Sequence, residues 1–314
     1  MSVYVGSNDS CKEISTMYMG NGDTIKEVAK GYILDSNGNV SQVYSNAPDP
    51  GQQVFTTSGT FTVPKGVKSI DVFLVGGGGS GGTSSYSGFN SEKHNAAGGG
   101  GGGGYTKTIK GISVTPGQSH SIVVAAGASK PSGSALGGMQ GGTSSAFNNN
   151  AVGGYCGTLY SGDNNAQYSK HSNGGSGGGS PTITHAGSTF TWLWYVGNAG
   201  GSDGGSCATF GGSGQGTTTR TFGESTGTLY AGGGGGGGMT YRENFEDYTK
   251  GPYNGGSGGG GNGSLSLGAN GTPGTGGGGG GGRRYITNWN TNPYTWAEGG
   301  SNGGSGCVII RWGY

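Results

Sequence analysis

Residues 276–282 read GGGGGGG, and the same run stands at 98–104 and at 232–238, with shorter ones at 76–79 and 258–261. Glycine supplies 82 of the 314 residues, against roughly 7% in ordinary proteins. Collagen and flexible linkers share such an excess, and neither fits. Collagen places Gly at every third position beside proline, whereas these runs are continuous and the chain holds nine prolines. A Gly/Ser linker lacks large apolar groups, yet 17 Tyr, 9 Phe and 5 Trp are spread through this chain. Ordering glycine costs more backbone entropy than ordering any other residue, so long runs make sense only where a side chain would block the packing. The pattern predicts a bundle of polyproline-II-type polyglycine helices. Each has three residues per turn and no internal hydrogen bonds, leaving its N–H and C=O groups for neighbouring helices. At a rise of about 3.1 Å per residue, a seven-residue run spans about 22 Å.

Outward from the runs lie segments of conventional character. Gly59-Thr60-Phe61-Thr62-Val63-Pro64 alternates polar and apolar residues, Pro64-Lys65-Gly66 reads as a turn, and Val67–Val75 is a strand whose second half is apolar on both faces. Further strands are expected at Tyr105–Val114, Ser119–Ala126 and Gly306–Trp312. Strands at both ends with the glycine runs between them predict one sandwich closed by its C-terminal strand, with jelly-roll topology. The fold class is therefore all-β: a jelly-roll-like sandwich with an inserted polyglycine-II bundle, preceded by a small β-meander.

That meander is residues 1–45. Tyr4-Val5-Gly6 recurs as Tyr18-Met19-Gly20, and Lys12-Glu13-Ile14 as Lys26-Glu27-Val28, around the polar turns Asn8-Asp9, Asn21-Gly22 and Asn37-Gly38. So small a set of hairpins buries little and calls for partner strands or further copies of itself. Residues 46–52, NAPDPGQ, read as a linker, which assigns 53–314 to the glycine-rich part.

Charge and composition exclude several classes of function. With net charge +1 and no basic run, nucleic acid and anionic membrane are not expected partners. The start MSVYVGSNDS has no signal-peptide pattern, and no segment is apolar enough to span a bilayer, so neither export nor membrane insertion is expected. Cys11, Cys156, Cys207 and Cys307 have no zinc-site spacing; they read as small buried apolar residues, with two disulfides as the competing reading. No cofactor is expected. GxGxxG matches follow from composition alone. His94, His120, His171 and His185 are scattered along the sequence, and Glu243, Glu246 and Asp247 read as a solvated acidic patch, a glycosidase pair or calcium site being the alternative.

The aromatics carry more information. Residues 188–196, 239–254 and 283–296 mix Trp and Tyr with Asn, Thr and Arg without regular period and read as loops displayed by a glycine rack. Rigid amphipathic rings in polar surroundings are the composition of recognition surfaces. The candidate binding residues are Trp192, Trp194, Tyr241, Tyr248, Tyr253, Arg283, Tyr285, Trp289, Tyr294 and Trp296. The competing reading has half of the rings covering the ends of the rack, and residues 189–196 forming a buried strand.

Thr60–Val67 leading through Val72–Val75 into Gly76–Gly79, the later Val114-Thr115-Pro116-Gly117, and the closing Gly306–Trp312 resemble the glycine-rich domain of tailed-phage tail fibres and adhesins, over roughly residues 53–314. Residues 1–45 are similar to the Tyr-x-Gly and Asn-Gly repeats of structural proteins in phages of Gram-positive bacteria. The resemblance implies a virion protein, made in the host cytoplasm and carried on the phage tail. Its N-terminal module would attach to baseplate or fibre proteins, and its loops would touch a bacterial surface glycan or protein. It further implies a non-enzymatic homo-oligomer, a trimer among the candidates. A purely structural fibre or decoration protein is the first alternative and a glycan-cleaving tail enzyme the second. An ice-binding polyglycine protein would need flat faces of Thr or Ala, which the aromatic segments contradict.

Overall fold

The structure, a computed structural model, describes residues 4–7, 10–13, 18–21, 24–27, 30–34, 40–45, 48–89, 92–130, 138–157, 172–186, 192–207, 211–243, 246–286, 295–297 and 299–314. Its first six strands form three separate hairpins: β1 (Tyr4–Ser7) with β2 (Ser10–Glu13), β3 (Tyr18–Asn21) with β4 (Thr24–Glu27), and β5 (Lys30–Leu34) with β6 (Val40–Ser45). The sequence repeat reappears as a repeat of register: Tyr4 pairs with Glu13 as Tyr18 pairs with Glu27, and Ser7 with Ser10 as Asn21 with Thr24. Asn21 therefore ends a strand rather than opening the turn. The expected turn residues Asn8, Asp9, Gly22, Asn37 and Gly38 lie outside the described residues.

The remaining strands follow in order: β7 (Gly51–Phe55), β8 (Gly59–Thr62), β9 (Ser69–Val75), β10 (Ser85–Phe89), β11 (Glu92–Ala96), β12 (Thr106–Ser113), β13 (Ser119–Ile122), β14 (Ser144–Ala146), β15 (Asn149–Ala151), β16 (Ile183–Ala186), β17 (Trp192–Tyr195), β18 (Met239–Glu243), β19 (Glu246–Lys250), β20 (Arg284–Ile286), β21 (Thr295–Ala297) and β22 (Cys307–Trp312). The first sheet of the sandwich has the order β12-β9-β22-β7. The second pairs β8 with β13, and a bridge from Val123 to Ser145 continues it into the β14–β15 hairpin. Between the sheets lie Phe61, Val63, Val67, Ile70, Val72, Leu74, Ile122, Val308 and Ile310, all nearly inaccessible to solvent. As expected, the C-terminal strand closes the sandwich, inserted between β9 and β7. Two residues expected in the linker belong to the sheet, since Gly51 pairs with Trp312 and Gln52 with Arg311. At Gly111 a bulge breaks the β12 ladder; its φ of +70° suits glycine, and its N–H donates to Asp71 Oδ1 at 2.9 Å.

The two apolar faces of β9 have separate partners. Val72 and Leu74 join the sandwich interior, while Phe73 and Val75 turn outward against Phe222, Tyr230 and Ala231. Phe73 meets the Phe222 ring at 6.0 Å and the Tyr230 ring at 5.4 Å between centroids. Residues 217–231 thus form a third layer, tied down where Arg311 binds Asp71 at 3.1 Å and Glu224 at 2.7 Å with its guanidinium over the Phe222 ring.

The glycine runs are ordered as a bundle in which each threefold turn addresses three neighbours. In the run leaving β9, Gly76, Gly79 and Gly82 donate to the carbonyls of Tyr105, Gly102 and Gly99; Gly77 and Ser80 donate to Gly142 and Met139; Gly78 and Gly81 donate to Gly304 and Ser301. Its carbonyls accept from Gly154, Ala128 and Gly279, on three further segments. Six neighbours around one run is hexagonal packing, which a side chain on any of its faces would prevent. The run 232–238 repeats the scheme, donating to 258–264, 198–201 and 98–101 at every third residue. Buried serines interrupt the runs where their hydroxyls bond within the array: Ser80 Oγ accepts the Met139 N–H at 2.9 Å, and Ser301 Oγ donates to the Gly280 carbonyl at 2.9 Å.

Candidate binding surface at the far end of the bundle

Each long run joins the sandwich side at one end and a short strand at the other. Gly76–Ser84 leads from β9 to β10, the run 97–104 returns from β11 towards β12, and 232–238 leads from the third layer into β18. These ends are laced together: Gly98 donates to Gly282 and accepts from Gly237, Ala97 donates to Thr182, and Arg284 donates to Gly238. Two four-stranded sheets consequently rise from one end of the bundle, with orders β10-β11-β16-β17 and β19-β18-β20-β21.

Where the structure describes the aromatic segments expected as loops, much of them is strand, a correction for Trp192–Tyr195, Met239–Glu243, Glu246–Lys250, Arg284–Ile286 and Thr295–Ala297, while 188–191, 244–245 and 287–294 lie outside the described residues. Strands of three to five residues are too short to show alternation in sequence, and the links between them, such as Asn244-Phe245, carry no standard hairpin-turn pair. In the second sheet Thr240 sits beside Tyr285, and Tyr285 beside Trp296; one residue along, Tyr241 pairs with both Tyr248 and Ile286. Adjacent rows of a pleated sheet belong to opposite faces, so Tyr285, level with Thr240 and Thr249, and Tyr248 stand on different sides. In the first sheet Trp192 is registered with Ala186 and Trp194 with Thr184.

Side-chain detail anchors the base of the second sheet. Met239 is fully buried and Arg284 is 3% exposed, while Tyr248 is 44% exposed. The Arg283 guanidinium donates to the Leu265 carbonyl at 2.9 Å and lies 5.8 Å from the Tyr285 ring centroid. The Thr240 and Thr249 hydroxyls are 3.1 Å apart across the ladder. The Tyr253 ring edge lies 2.6 Å from where a Cβ on Gly197 would stand, so this tyrosine covers glycine backbone. Trp289 and Tyr294 lie outside the described residues.

Register also places together residues that the sequence scatters. His94 stands opposite His185 on neighbouring strands of the first sheet. At the end of the β18–β19 hairpin Glu243 stands opposite Glu246, and Arg242 opposite Asp247. Only strand order could have revealed the histidine pairing. Cys156, Cys207 and Cys307 are free thiols, and burial pushes the Cys307 thiol up to about 12. Among the described residues, no cluster of three metal-capable side chains occurs and no helix is long and apolar enough to cross a membrane.

Comparison with curated proteins returned no match. The family model described as glycine-rich domain matches residues 56–313, from the end of β7 through the rest of the sandwich, the bundle and its distal sheets to the closing strand. That span covers well over half of the chain, which therefore belongs to the glycine-rich domain family.

Proposed function

We propose that this protein is a non-enzymatic receptor-binding component of a tailed-phage virion, a tail fibre or adhesin that recognises the bacterial host through its distal sheets. One observation carries the reading: two aromatic-bearing sheets are rooted side by side on one end of a rod with almost no side chains in its interior. Such a rod contributes little chemistry of its own but holds the strand ends rigidly, which reduces the entropy lost when a ligand is gripped. Trp and Tyr beside Arg and Thr suit stacking on sugar rings or seating peptide anchors. In this reading residues 1–45 attach the protein to baseplate or fibre proteins and to copies of itself. Weak single sites suffice when many copies act together, because linked binding multiplies avidity.

The test uses the purified full-length protein, fluorescently labelled, against intact cells of a panel of Gram-positive bacteria and a glycan array. Saturable binding to a subset of strains, lost in a Tyr248→Ala/Trp296→Ala protein, is the expected result. Binding that survives those substitutions would move the receptor site elsewhere, and absence of binding across the panel would favour a structural fibre.

A further inference from the structure

Far from the distal sheets, the sandwich carries a second candidate surface. We infer that the groove bounded by β12, β13 and the β14–β15 hairpin is a binding site for a neutral saccharide. Its volume is about 540 Å³, within the range of about 300–1,000 Å³ usual for small-molecule sites.

The lining selects the ligand class. Ser121 and Ser145 offer hydroxyls, Asn148 and Asn150 offer amides, and the Phe147 ring supplies an apolar wall; the described residues around the groove include no Asp, Glu, Lys or Arg. A charged ligand would find no countercharge there, and a purely apolar one would strand the amides without partners. A sugar ring presents C–H groups on its face and hydroxyls on its rim, which matches one aromatic wall edged by single polar groups.

Two independent features mark the groove as more than a surface irregularity. The turn joining β14 to β15 places Phe147 at φ 48° and Asn148 at φ 57°. A two-residue turn of this hand favours Asn or Gly; a bulky aromatic in that region is strained, and such strain concentrates at functional sites. The turn seats the Phe147 ring with its centroid 4.5 Å from the His120 ring and 6.2 Å, edge-on, from the core residue Phe61. The second feature is His120 Nε2, buried at the groove wall without a hydrogen-bond partner among the described residues. A buried polar atom left unpaired is costly, and a slight shift of Phe147 would let a sugar hydroxyl satisfy it.

The experiment is a titration of isotope-labelled full-length protein, followed by residue-resolved NMR, with cellobiose, maltose, lactose and chitobiose. The expected result is saturable shifts confined to residues 112–123 and 144–151 with at least one of these sugars. Asn148→Gly keeps the positive φ and Asn150→Ala keeps the strand, so unchanged signals from β9 and β22 would certify the fold of both variants. Each should weaken binding about tenfold, the equivalent of one lost hydrogen bond. Three outcomes overturn the proposal: no saturable shift with any of the four sugars, shifts that persist unweakened in both variants, or a response to glucuronate that exceeds every neutral sugar. Because Tyr248 and Trp296 lie outside the groove, their substitution tests host binding separately and leaves this titration unchanged.

Discussion

In the sandwich, Phe61, Leu74 and Ile310 exclude water with their side chains; in the neighbouring bundle, Gly79, Gly101 and Gly279 are as buried with none. The first interior is held by the apolar effect, which is non-directional and scales with area at about 25 cal/mol per Å². The second is held by directional bonds at fixed spacing, such as Gly101 N–H to the Gly279 carbonyl at 2.8 Å and Gly279 N–H to the Gly79 carbonyl at 2.9 Å. Apolar cores accept changes of shape if volume is conserved. A lattice of touching backbones has no side chain that could move aside, so its tolerance for any added atom should be far lower.

The strongest way to break that contrast is Gly279→Val. A Cβ there would stand 2.5 Å from the Ser301 carbonyl oxygen and 2.6 Å from that of Asn302, and both belong to backbone within the array. A loss above about 5 kcal/mol is expected, seen as a melting temperature lower by on the order of 10 °C or more or as failure to fold. A variant as stable as Ile310→Val, whose expected cost is about 0.5–1.5 kcal/mol, would show that the bundle yields as an ordinary core does.

Next in size is Phe73→Ala, at the seam between the two regions. This ring is 1% exposed and packs on Phe222 and Tyr230, which precede the run beginning at Gly232. Its removal should cost about 3–5 kcal/mol in urea unfolding. If sandwich and bundle unfold as one cooperative unit, the fluorescence of Trp312, read in a protein whose other four tryptophans are replaced by Phe, and the circular dichroism of the glycine helices will shift together; separate midpoints would divide them.

These contrasts follow how far each region could be read beforehand. The glycine runs announced the bundle because no other packing justifies them, and β9 and β22 stood out as the chain's densest apolar stretches. Partners were hidden. Phe73 and Val75 looked like residues at the centre of a sandwich, whereas a third layer covers them, built from residues 217–231 that have no apolar period. β7 escaped because Gln52, Gln53 and Val54 are exposed, so its pairing with β22 left no alternation. At the distal end residue type was legible and arrangement was not. The pairs Tyr241–Tyr248 and Tyr285–Trp296 each join strands close in sequence, but the two pairs come into one sheet only across the glycine-rich stretch 251–282, through a parallel pairing of β18 with β20 that has no local signature.

A smaller effect is expected at a second seam, where the turn residue Asp203 meets the third layer. Its carboxylate is held below the usual range first by the Thr218 hydroxyl and then, against the opposing effect of burial, by the Thr219 N–H and Arg220. A depressed carboxylate stabilises the fold above its unfolded value of about 3.9 and loses that contribution as pH falls through the lower folded value. Asp203→Asn keeps a residue that tolerates the φ of 51°. It should be slightly less stable than the parent at pH 7, and the difference should vanish in strong acid. A deficit that persisted below pH 2 would assign it to lost hydrogen-bond geometry rather than to charge.

The smallest structural effect is expected where the sheets leave the bundle. Tyr248 is exposed, and Trp296 belongs to β21, an edge strand joined to one neighbour by three registered residues. Tyr248 lies outside the sandwich clusters, and both residues stand on a sheet beyond the end of the glycine bundle. The pair Tyr248→Ala/Trp296→Ala should therefore shift the melting temperature by no more than an ordinary surface substitution, about 0.5 kcal/mol per site. Host-cell binding should fall by about 2 kcal/mol or more if these rings are its hot spots. Stability and recognition would then reside at opposite ends of the same rod. The reverse result, a destabilised protein that still binds cells, would make these rings a cap on the glycine lattice and return the distal sheets to the structural side of the comparison.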